Sequence, residues 1–131
     1  MAHKFHHVHI KSKKPRMSAR WWEDMFGAEI LPEYELGPML FTPVLLDGIQ
    51  ITITGHAPES IADFKEPQGI PYWGLEHFGI EVDDMDAILA RFEEQGFKLY
   101  FRRPGPLGFE VAFVDAPDGV VLELLHKPTD D

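Results

Sequence analysis

Polar side chains of the kinds that bind divalent metals stand at repeated points of this sequence. His7 lies in the run FHHVHI and His77 in the run LEHFGIEV, and each run leads into a helix-forming stretch that ends at a glycine. Each half then closes with an apolar run that carries one polar side chain, Gln50 in GIQITIT and Glu123 in GVVLELL. Imidazole, amide and carboxylate groups at matched depths are what a metal site between two repeats needs.

The four residues have the composition of a known kind of metal site. His7, His77 and Glu123 match the two-histidine, one-carboxylate triad, whose open positions take water or substrate, and Gln50 can add a neutral oxygen. An inward-facing glutamate without a partner carries a large desolvation cost, which a cation removes. The repetition of all four positions therefore favours one divalent metal over four unrelated core residues.

Two further polar residues are expected near the predicted site. His9 shares the strand face of His7, so we expect it to contact the substrate or to support a metal ligand. Glu81 shares the face of His77 and is either an acid in the same site or an exposed residue at the edge of the sheet.

The apolar pattern predicts an α+β fold made of two βαβββ modules, residues 1–54 and 75–131. In the first module we expect strands at 5–10, 30–36, 40–46 and 49–54, and a helix from Pro15 to Gly27. In the second we expect strands at 75–82, 97–101, 109–114 and 120–125, and a helix that Asp83 or Asp84 caps and Gly96 ends. Segment 55–74 is predicted to be a linker with one helical turn near Ile61 to Phe64.

One helix in each module can cover only one face of its sheet, so the other face needs a partner. We expect the two sheets to curve into one half-open barrel around the metal site. On the last strand of each module, alternation places Gln50 and Glu123 on the inner face and directs the neighbouring isoleucine and leucine side chains against the helix.

Composition excludes several classes of function. The chain has 131 residues and no cysteine, so a disulfide framework, a thiolate zinc site and a cysteine nucleophile are ruled out. Twelve basic against 22 acidic residues give a net charge of −10, which repels nucleic acids. No run approaches the roughly 20 apolar residues that a membrane span needs. We expect a cytoplasmic protein that binds a small molecule rather than a nucleic acid or a membrane.

The order of these motifs resembles that of a known family. HHVHI, a helix ending in FGAEI, IQIT, LEHFGIEVDDMDAI and FVDAPDGVVLELL together are similar to the vicinal oxygen chelate superfamily, over about Phe5 to His126. Its members share paired βαβββ modules and include glyoxalase I, methylmalonyl-CoA epimerase, fosfomycin resistance enzymes, extradiol dioxygenases and metal-free bleomycin-binding proteins. The resemblance implies a glyoxalase-like fold and a metal that chelates two adjacent oxygens of a substrate.

Carried over by position, the resemblance puts the metal ligands at His7, Gln50, His77 and Glu123. Bacterial glyoxalase I typically has glutamate where this chain has Gln50, whereas methylmalonyl-CoA epimerase has a similar set. Glu123 is then the catalytic residue that moves a proton at the carbon beside a chelated carbonyl, as in lyases, isomerases and epimerases of this type. A second proton-transfer residue is not placed by the motifs, and Glu81 and Glu110 are its candidates. The metal is Zn, Ni, Co, Mn or Fe.

Two other functions are compatible with the same residues. An extradiol-type dioxygenase would hold ferrous iron with His7, His77 and Glu123 and would need an acid-base residue such as His9. A metal-free binding protein of the bleomycin-resistance type would use the acidic charge to attract a cationic ligand. We also expect a homodimer, because the first helix carries more apolar surface than one sheet face needs and because family members commonly dimerise.

Overall fold

A computed structural model describes residues 3–56 and 63–128 of the chain. It divides into two compact units, with the boundary between Lys65 and Glu66, inside the segment predicted to be a linker. Within the described residues, each unit contains one α-helix and one sheet, so the predicted α+β class is confirmed. Neither of these two helices is long and apolar enough to cross a membrane.

The first unit begins with a strand and a helix at the predicted places. Helix α1 starts at Pro15, whose fixed φ suits the first helical turn, and ends at Phe26. Gly27 follows in the left-handed conformation, with φ of 70°, and donates its N–H to the carbonyl of Glu23 at 2.9 Å. The strands are β1 (His7–Lys11), β2 (Glu29–Ile30), β3 (Tyr34–Leu36), β4 (Met39–Phe41), β5 (Val44–Leu46) and β6 (Ile49–His56).

Two predicted strands of this unit are each broken into two short ones. The segment predicted as one strand at 40–46 forms β4 and β5, which both pair with β6 on either side of Thr42 and Pro43. The segment predicted at 30–36 forms β2 and β3, with Pro32 between them. Proline has no N–H to donate, so it removes a ladder hydrogen bond at its position, and Pro32 and Pro43 lie between the short strands. Asp47-Gly48, a residue pair typical of two-residue hairpin turns, separates the predicted strands 40–46 and 49–54, and both residues have positive φ, as such a turn requires.

The core of the first unit lies between α1 and β6. Trp22 is 1% exposed and Ile53 is fully buried, and Ile51 lies beside them. Ile51 and Ile53 are thus buried as predicted, whereas Ile49, predicted on the same face, is 46% exposed at the start of β6. Strand β1 lies parallel to β6 on its other side, with His7 opposite Gln50 in the register.

The second unit repeats this topology with fewer interruptions. Its sheet has the order β7-β10-β9-β8, with β7 parallel to β10 and the other pairs antiparallel. Leu122 and Leu124 are fully buried on the face of β10 that helix α2 covers, together with Phe92 of that helix. The elements are β7 (Phe78–Glu81), α2 (Met85–Glu94), β8 (Leu99–Pro104), β9 (Glu110–Asp115) and β10 (Val121–His126).

The linker is described only in part. The helical turn predicted at Ile61 to Phe64 begins outside the described residues, and residues 64–77 contain no helix. Near the end of this segment the hydroxyl of Tyr72 lies 2.9 Å from the carbonyl oxygen of Leu75 and 3.1 Å from that of Glu76.

Helix α2 has the side-chain cap that the sequence predicts. Asp84 accepts a hydrogen bond from the backbone N–H of Ala87 at 3.0 Å, which satisfies one of the free donors of the first turn. Asp84→Ala should therefore lower the free energy of unfolding by about 1 kcal/mol, measured by urea denaturation. Asp83→Ala is the matched control, because the cap bond belongs to Asp84. Equal losses in the two variants would contradict the assignment of the cap.

A hydrogen bond joins β8 to the end of β9. The hydroxyl of Tyr100 donates to a carboxylate oxygen of Asp115 at 2.6 Å. This bond to a negative charge, with partial burial, raises the pKa of Tyr100 from the ordinary 10.0 to about 12. The folded protein therefore holds this proton more tightly than the unfolded chain does.

The raised pKa of Tyr100 predicts how stability depends on pH. Its contribution is complete below pH 10, where the phenol is protonated in both states, and is lost as the pH rises through about 12. In Tyr100→Phe, stability should decline less over this range than in the wild type, measured by denaturation at several pH values. Tyrosinate absorbance of the folded protein should also lose its latest-titrating component. An unchanged titration curve would contradict this assignment.

Candidate metal centre

His77 and Glu123, two of the predicted ligands, lie close together. His77 lies just before β7, because that strand begins at Phe78 rather than at the predicted residue 75. Its Nε2 atom is 3.3 Å from Oε1 of Glu123 on β10, and the two side chains are 26% and 23% exposed. The imidazole also packs edge-on against Phe113, with ring centroids 4.5 Å apart. Both groups are thus held in place and still reachable from solvent.

The other nitrogen of His77 is already engaged. Its Nδ1 lies 2.9 Å from a carboxylate oxygen of Glu76, the preceding residue. A proton on Nδ1 donates to Glu76 and leaves a lone pair on Nε2 that faces Oε1 of Glu123. Two electron-rich atoms in that position need a proton or a cation between them. Donor atoms bound to one cation at about 2.1 Å lie about 3 Å apart, so this pair fits a divalent metal.

The first unit holds the other two predicted ligands on neighbouring strands. His7 on β1 lies directly opposite Gln50 on β6. The amide nitrogen of Gln50 donates to the hydroxyl of Thr52 at 2.9 Å, which leaves the amide oxygen available to a metal. The Nδ1 atoms of His6 and His7 lie 2.8 Å apart, which leaves Nε2 of His7 available. In both units, therefore, Nδ1 of the candidate histidine contacts the residue just before it.

His9 lies on the same face as His7 but has its own partner. Its Nε2 is 2.7 Å from the hydroxyl of Thr54. Partial burial, helped by the charge of Lys11, lowers the pKa of His9. His9 is thus a neighbour of His7 whose uncharged form is favoured. This position is compatible with the predicted contact to the substrate or support of a metal ligand, which stays a prediction.

The two candidates for a second proton-transfer residue lie on different faces of the second sheet. Glu81 is exposed and pairs in register with Leu125, so it shares the face of Glu123. Glu110 is on the opposite face, where its carboxylate oxygen lies 2.9–3.0 Å from two nitrogens of Arg102. The structure therefore keeps Glu81 as a neighbour of the candidate centre and does not bring Glu110 to it.

The strand register corrects the repeat on which the site was predicted. In the first unit Gln50 lies opposite His7, whereas in the second unit Glu123 lies opposite Gly79, two residues after His77. When His7 is matched with His77, the equivalent of Glu123 is Thr52, and the predicted match of Gln50 with Glu123 is wrong by two residues. A shift of two keeps a side chain on the same face, so alternation cannot detect it. Gln50 remains on the face of His7, and its role as a ligand stays a prediction.

Among the described residues, no group of three or more histidine, cysteine, aspartate or glutamate side chains is placed to hold a metal ion. The structure thus presents the predicted ligands as two pairs, one in each unit. The pair His77 and Glu123 has the donor spacing that a cation needs, and the pair His7 and Gln50 has the matching donor atoms available.

The sequence matches one protein-family model, described as the glyoxalase/bleomycin resistance protein/dioxygenase superfamily, over residues 6–113. The chain belongs to this superfamily. Its glyoxalase-like fold, predicted from the motifs, is thereby confirmed together with the repeated sheet topology. No curated protein matches the sequence.

Several solved structures share the fold at low sequence identity. A glyoxalase family protein from Enterococcus faecalis is 23% identical, with a TM-score of 0.72 over 95% of this chain and 98% of its own. A glyoxylase/bleomycin resistance protein/dioxygenase domain from Frankia sp. EAN1pec is 18% identical, with a TM-score of 0.72 over 100% of this chain and 96% of its own. The third structure is a mutant of the fosfomycin resistance protein FosX from Listeria monocytogenes, complexed with Mn(II) and 1S,2S-dihydroxypropylphosphonic acid. It is 16% identical, with a TM-score of 0.72 over 98% of this chain and 95% of its own.

Sequence reasoning missed the groups that orient the candidate ligands. Glu76 and His6 precede the two histidines, and consecutive residues on a regular strand point to opposite faces. His77 precedes the first residue of β7, and His7 is the first residue of β1. The alternation of a regular strand therefore does not apply to Glu76 and His77 or to His6 and His7. The available signal was that each candidate histidine follows a residue that can accept or share a proton.

Proposed function

We propose that this member of the superfamily is a divalent-metal-dependent enzyme that moves a proton at the carbon beside a carbonyl group of a small substrate. The observation that carries the proposal is the pair of His77 and Glu123, whose facing nitrogen and oxygen atoms lie 3.3 Å apart. The carbonyl and a neighbouring oxygen belong to a small acid, a thioester or a hemithioacetal. This class of reaction covers lyases, isomerases and epimerases.

The metal would be held by His7, Gln50, His77 and Glu123. Two neutral imidazoles, one amide oxygen and one carboxylate suit a borderline divalent ion such as Zn, Ni, Co, Mn or Fe. Because only one of these four groups is charged, the ion keeps most of its positive charge. When bound, it would polarise the chelated carbonyl and so stabilise negative charge that develops on the oxygen. The FosX relative with Mn(II) supports the choice, since it has the same fold.

Glu123 would take the proton from the substrate carbon and return it. Its carboxylate is partly exposed, so a substrate can reach it, and its Cα lies opposite Gly79. A Cβ at residue 79 would be 3.9 Å from Oε1 of Glu123 and 2.9 Å from a methyl of Leu125, so glycine leaves room at this point. Glu76 would fix the ring of His77 by accepting a hydrogen bond from its Nδ1–H. Glu123 thus has His77 as a defined neighbour and is partly exposed to solvent.

Deuterium exchange tests this function directly. Metal-loaded protein would be incubated in deuterated water with candidate hemithioacetals and 2-methyl thioesters, and the carbon beside the carbonyl would be followed by NMR. Exchange is expected even with an imperfect substrate, because proton abstraction precedes any later step. If no candidate exchanges and the protein consumes oxygen with a catechol under ferrous iron, the dioxygenase function replaces the one proposed.

A further inference from the structure

Two stacked phenylalanines extend sideways from His77 across the second sheet. Phe113 on β9 meets His77 edge-on, and Phe101 on β8 stacks on Phe113 with centroids 4.6 Å apart and planes inclined by 27°. Both rings are partly exposed, and the register places them in one row with Glu123. This aromatic layer, Phe101 and Phe113, therefore forms an apolar surface that begins beside the candidate metal ligands.

An arginine covers the far end of the aromatic layer. The guanidinium carbon of Arg103 lies 4.0 Å from the centroid of the Phe101 ring. Arg103 pairs in register with Val111, which pairs with Leu125, so it lies on the same face of the sheet as Glu123. A guanidinium over an aromatic ring uses its flat face for the contact and leaves the N–H groups at its edge free to bind an anion.

Arg103 differs from the other arginines whose contacts are known. Arg16 and Arg102 each bind carboxylates, Arg16 that of Glu33 at 2.7 Å and Arg102 that of Asp86 at 2.8 Å. Within residues 3–56 and 63–128, Arg103 makes no ion pair, although the chain has 22 acidic residues and a net charge of −10. A guanidinium that lies over an aromatic ring, has no carboxylate partner among the described residues and shares a sheet face with a candidate catalytic group is suited to a ligand.

The spacing of the strands gives the length of that ligand. Phe101 and Glu123 lie in one row, separated by β9, and neighbouring strands are about 4.8 Å apart. The guanidinium stacks 4.0 Å from the Phe101 ring, at the far end of the layer, so it lies roughly 10 to 14 Å from the Glu123 strand, on the same face. The rings of the aromatic layer cover the interval between them.

We propose that Arg103 and the aromatic layer form a recognition subsite for the substrate. The substrate would have an apolar or planar body lying on Phe101 and Phe113, and, at the end far from its reacting carbonyl, an anionic group that binds Arg103. This inference rests on the proposed function, since it assumes that the carbonyl is placed beside His77 and Glu123. It makes Arg103 a specificity-determining residue with no part in proton transfer.

Two probes that differ only at the far end test the subsite. α-Ketooctanoate has one carboxylate beside its keto group, and α-ketosuberate has the same chain with a second carboxylate at the other end. Calorimetric titration of the metal-loaded wild type should give about tenfold tighter binding of α-ketosuberate, because a hydrogen-bonded charge pair forms with Arg103. Arg103→Gln should remove this preference. Arg102→Gln is the matched control, since Arg102 lies on the opposite face with Asp86 and Glu110, and it should keep the preference.

The same titrations separate this inference from the proposed function. After chelation of the metal, both probes should bind more weakly by a similar factor, and the preference that depends on Arg103 should remain. A protein that binds no metal but keeps the preference would overturn the proposed function and leave the subsite standing. Equal affinity for the two probes in the wild type, no binding of either, or the same loss in Arg102→Gln would overturn the subsite.

Discussion

Replacing His77 with alanine should reduce the metal content of the purified protein from about one ion per chain to almost none. The variant loses the Nε2 atom that lies 3.3 Å from Glu123, and it also leaves Glu76 without the imidazole that it orients. Loss of one of the four proposed ligands should remove a large part of the binding free energy, because few groups would hold the ion. Elemental analysis of untreated wild type and variant measures this directly.

His126→Ala is the control for this experiment. His126 is on the same strand as Glu123, three residues later and on the opposite face, where its Nδ1 contacts the carbonyl of Val82 at 3.0 Å. The His126→Ala variant should therefore keep the wild-type metal content. Equal metal in the wild type and in His77→Ala would show that the ion, if any, is held elsewhere.

Glu76→Gln asks a finer question about the same centre. Glutamine keeps the size of the side chain but removes the charge that holds the Nδ1 proton of His77. Groups that orient a metal ligand in this way typically contribute 10- to 100-fold in metal affinity. An intermediate loss of metal, between the wild type and His77→Ala, should therefore be seen in competition with a chelator. Affinity in all variants should fall with acidification, since protons compete for the imidazoles.

The fold could be predicted from local signals because those signals agree with one another. Pro15 and Gly27 mark the ends of α1, Asp84 caps α2, and Asp47-Gly48 makes the hairpin turn. The sequence also contained the signal for the strand breaks, because Pro32 and Pro43 cannot donate a hydrogen bond to a ladder. The apolar residues on either side of each proline continue the alternating pattern, so the pattern predicted one continuous strand in each case.

The candidate site was predictable by residue type but not by register. His7 and His77 were recognised because the runs around them repeat, and their strands lie at equivalent places in the two sheets. The match between Gln50 and Glu123 was wrong because alternation has a period of two, so an offset of two residues leaves every face unchanged. Only the pairing of β1 with β6 and of β7 with β10 reveals that Thr52 is the equivalent position.

Side-chain partners were the least predictable part, because they depend on contacts between distant strands. Arg102 and Arg103 are adjacent residues of the same type, yet Arg102 binds Asp86 of α2 and Arg103 lies over Phe101. Glu110 could be proposed as an acid from its type alone, and only the paired strands show that Arg102 neutralises it on the other face.

Glu123→Gln should abolish proton exchange at the substrate carbon. Glutamine has nearly the same shape and keeps an oxygen that can bind a metal, but it cannot accept and return a proton at neutral pH. General acid–base groups typically contribute 10²- to 10⁴-fold to a rate, so the exchange rate should fall at least about 100-fold. The rate is measured by NMR in deuterated water with any hemithioacetal or thioester that the wild type exchanges.

The metal content of Glu123→Gln must be measured in the same sample, because the loss of a charged ligand also weakens the ion. Rates are then compared per bound metal, so that a loss of chemistry is separated from a loss of metal. Glu110→Gln carries the same substitution on the opposite face, beside Arg102, and should exchange at the wild-type rate. A metal-loaded Glu123→Gln protein with wild-type exchange would show that another group moves the proton. Glu81, which shares the face of Glu123, would then be the carboxylate to replace next.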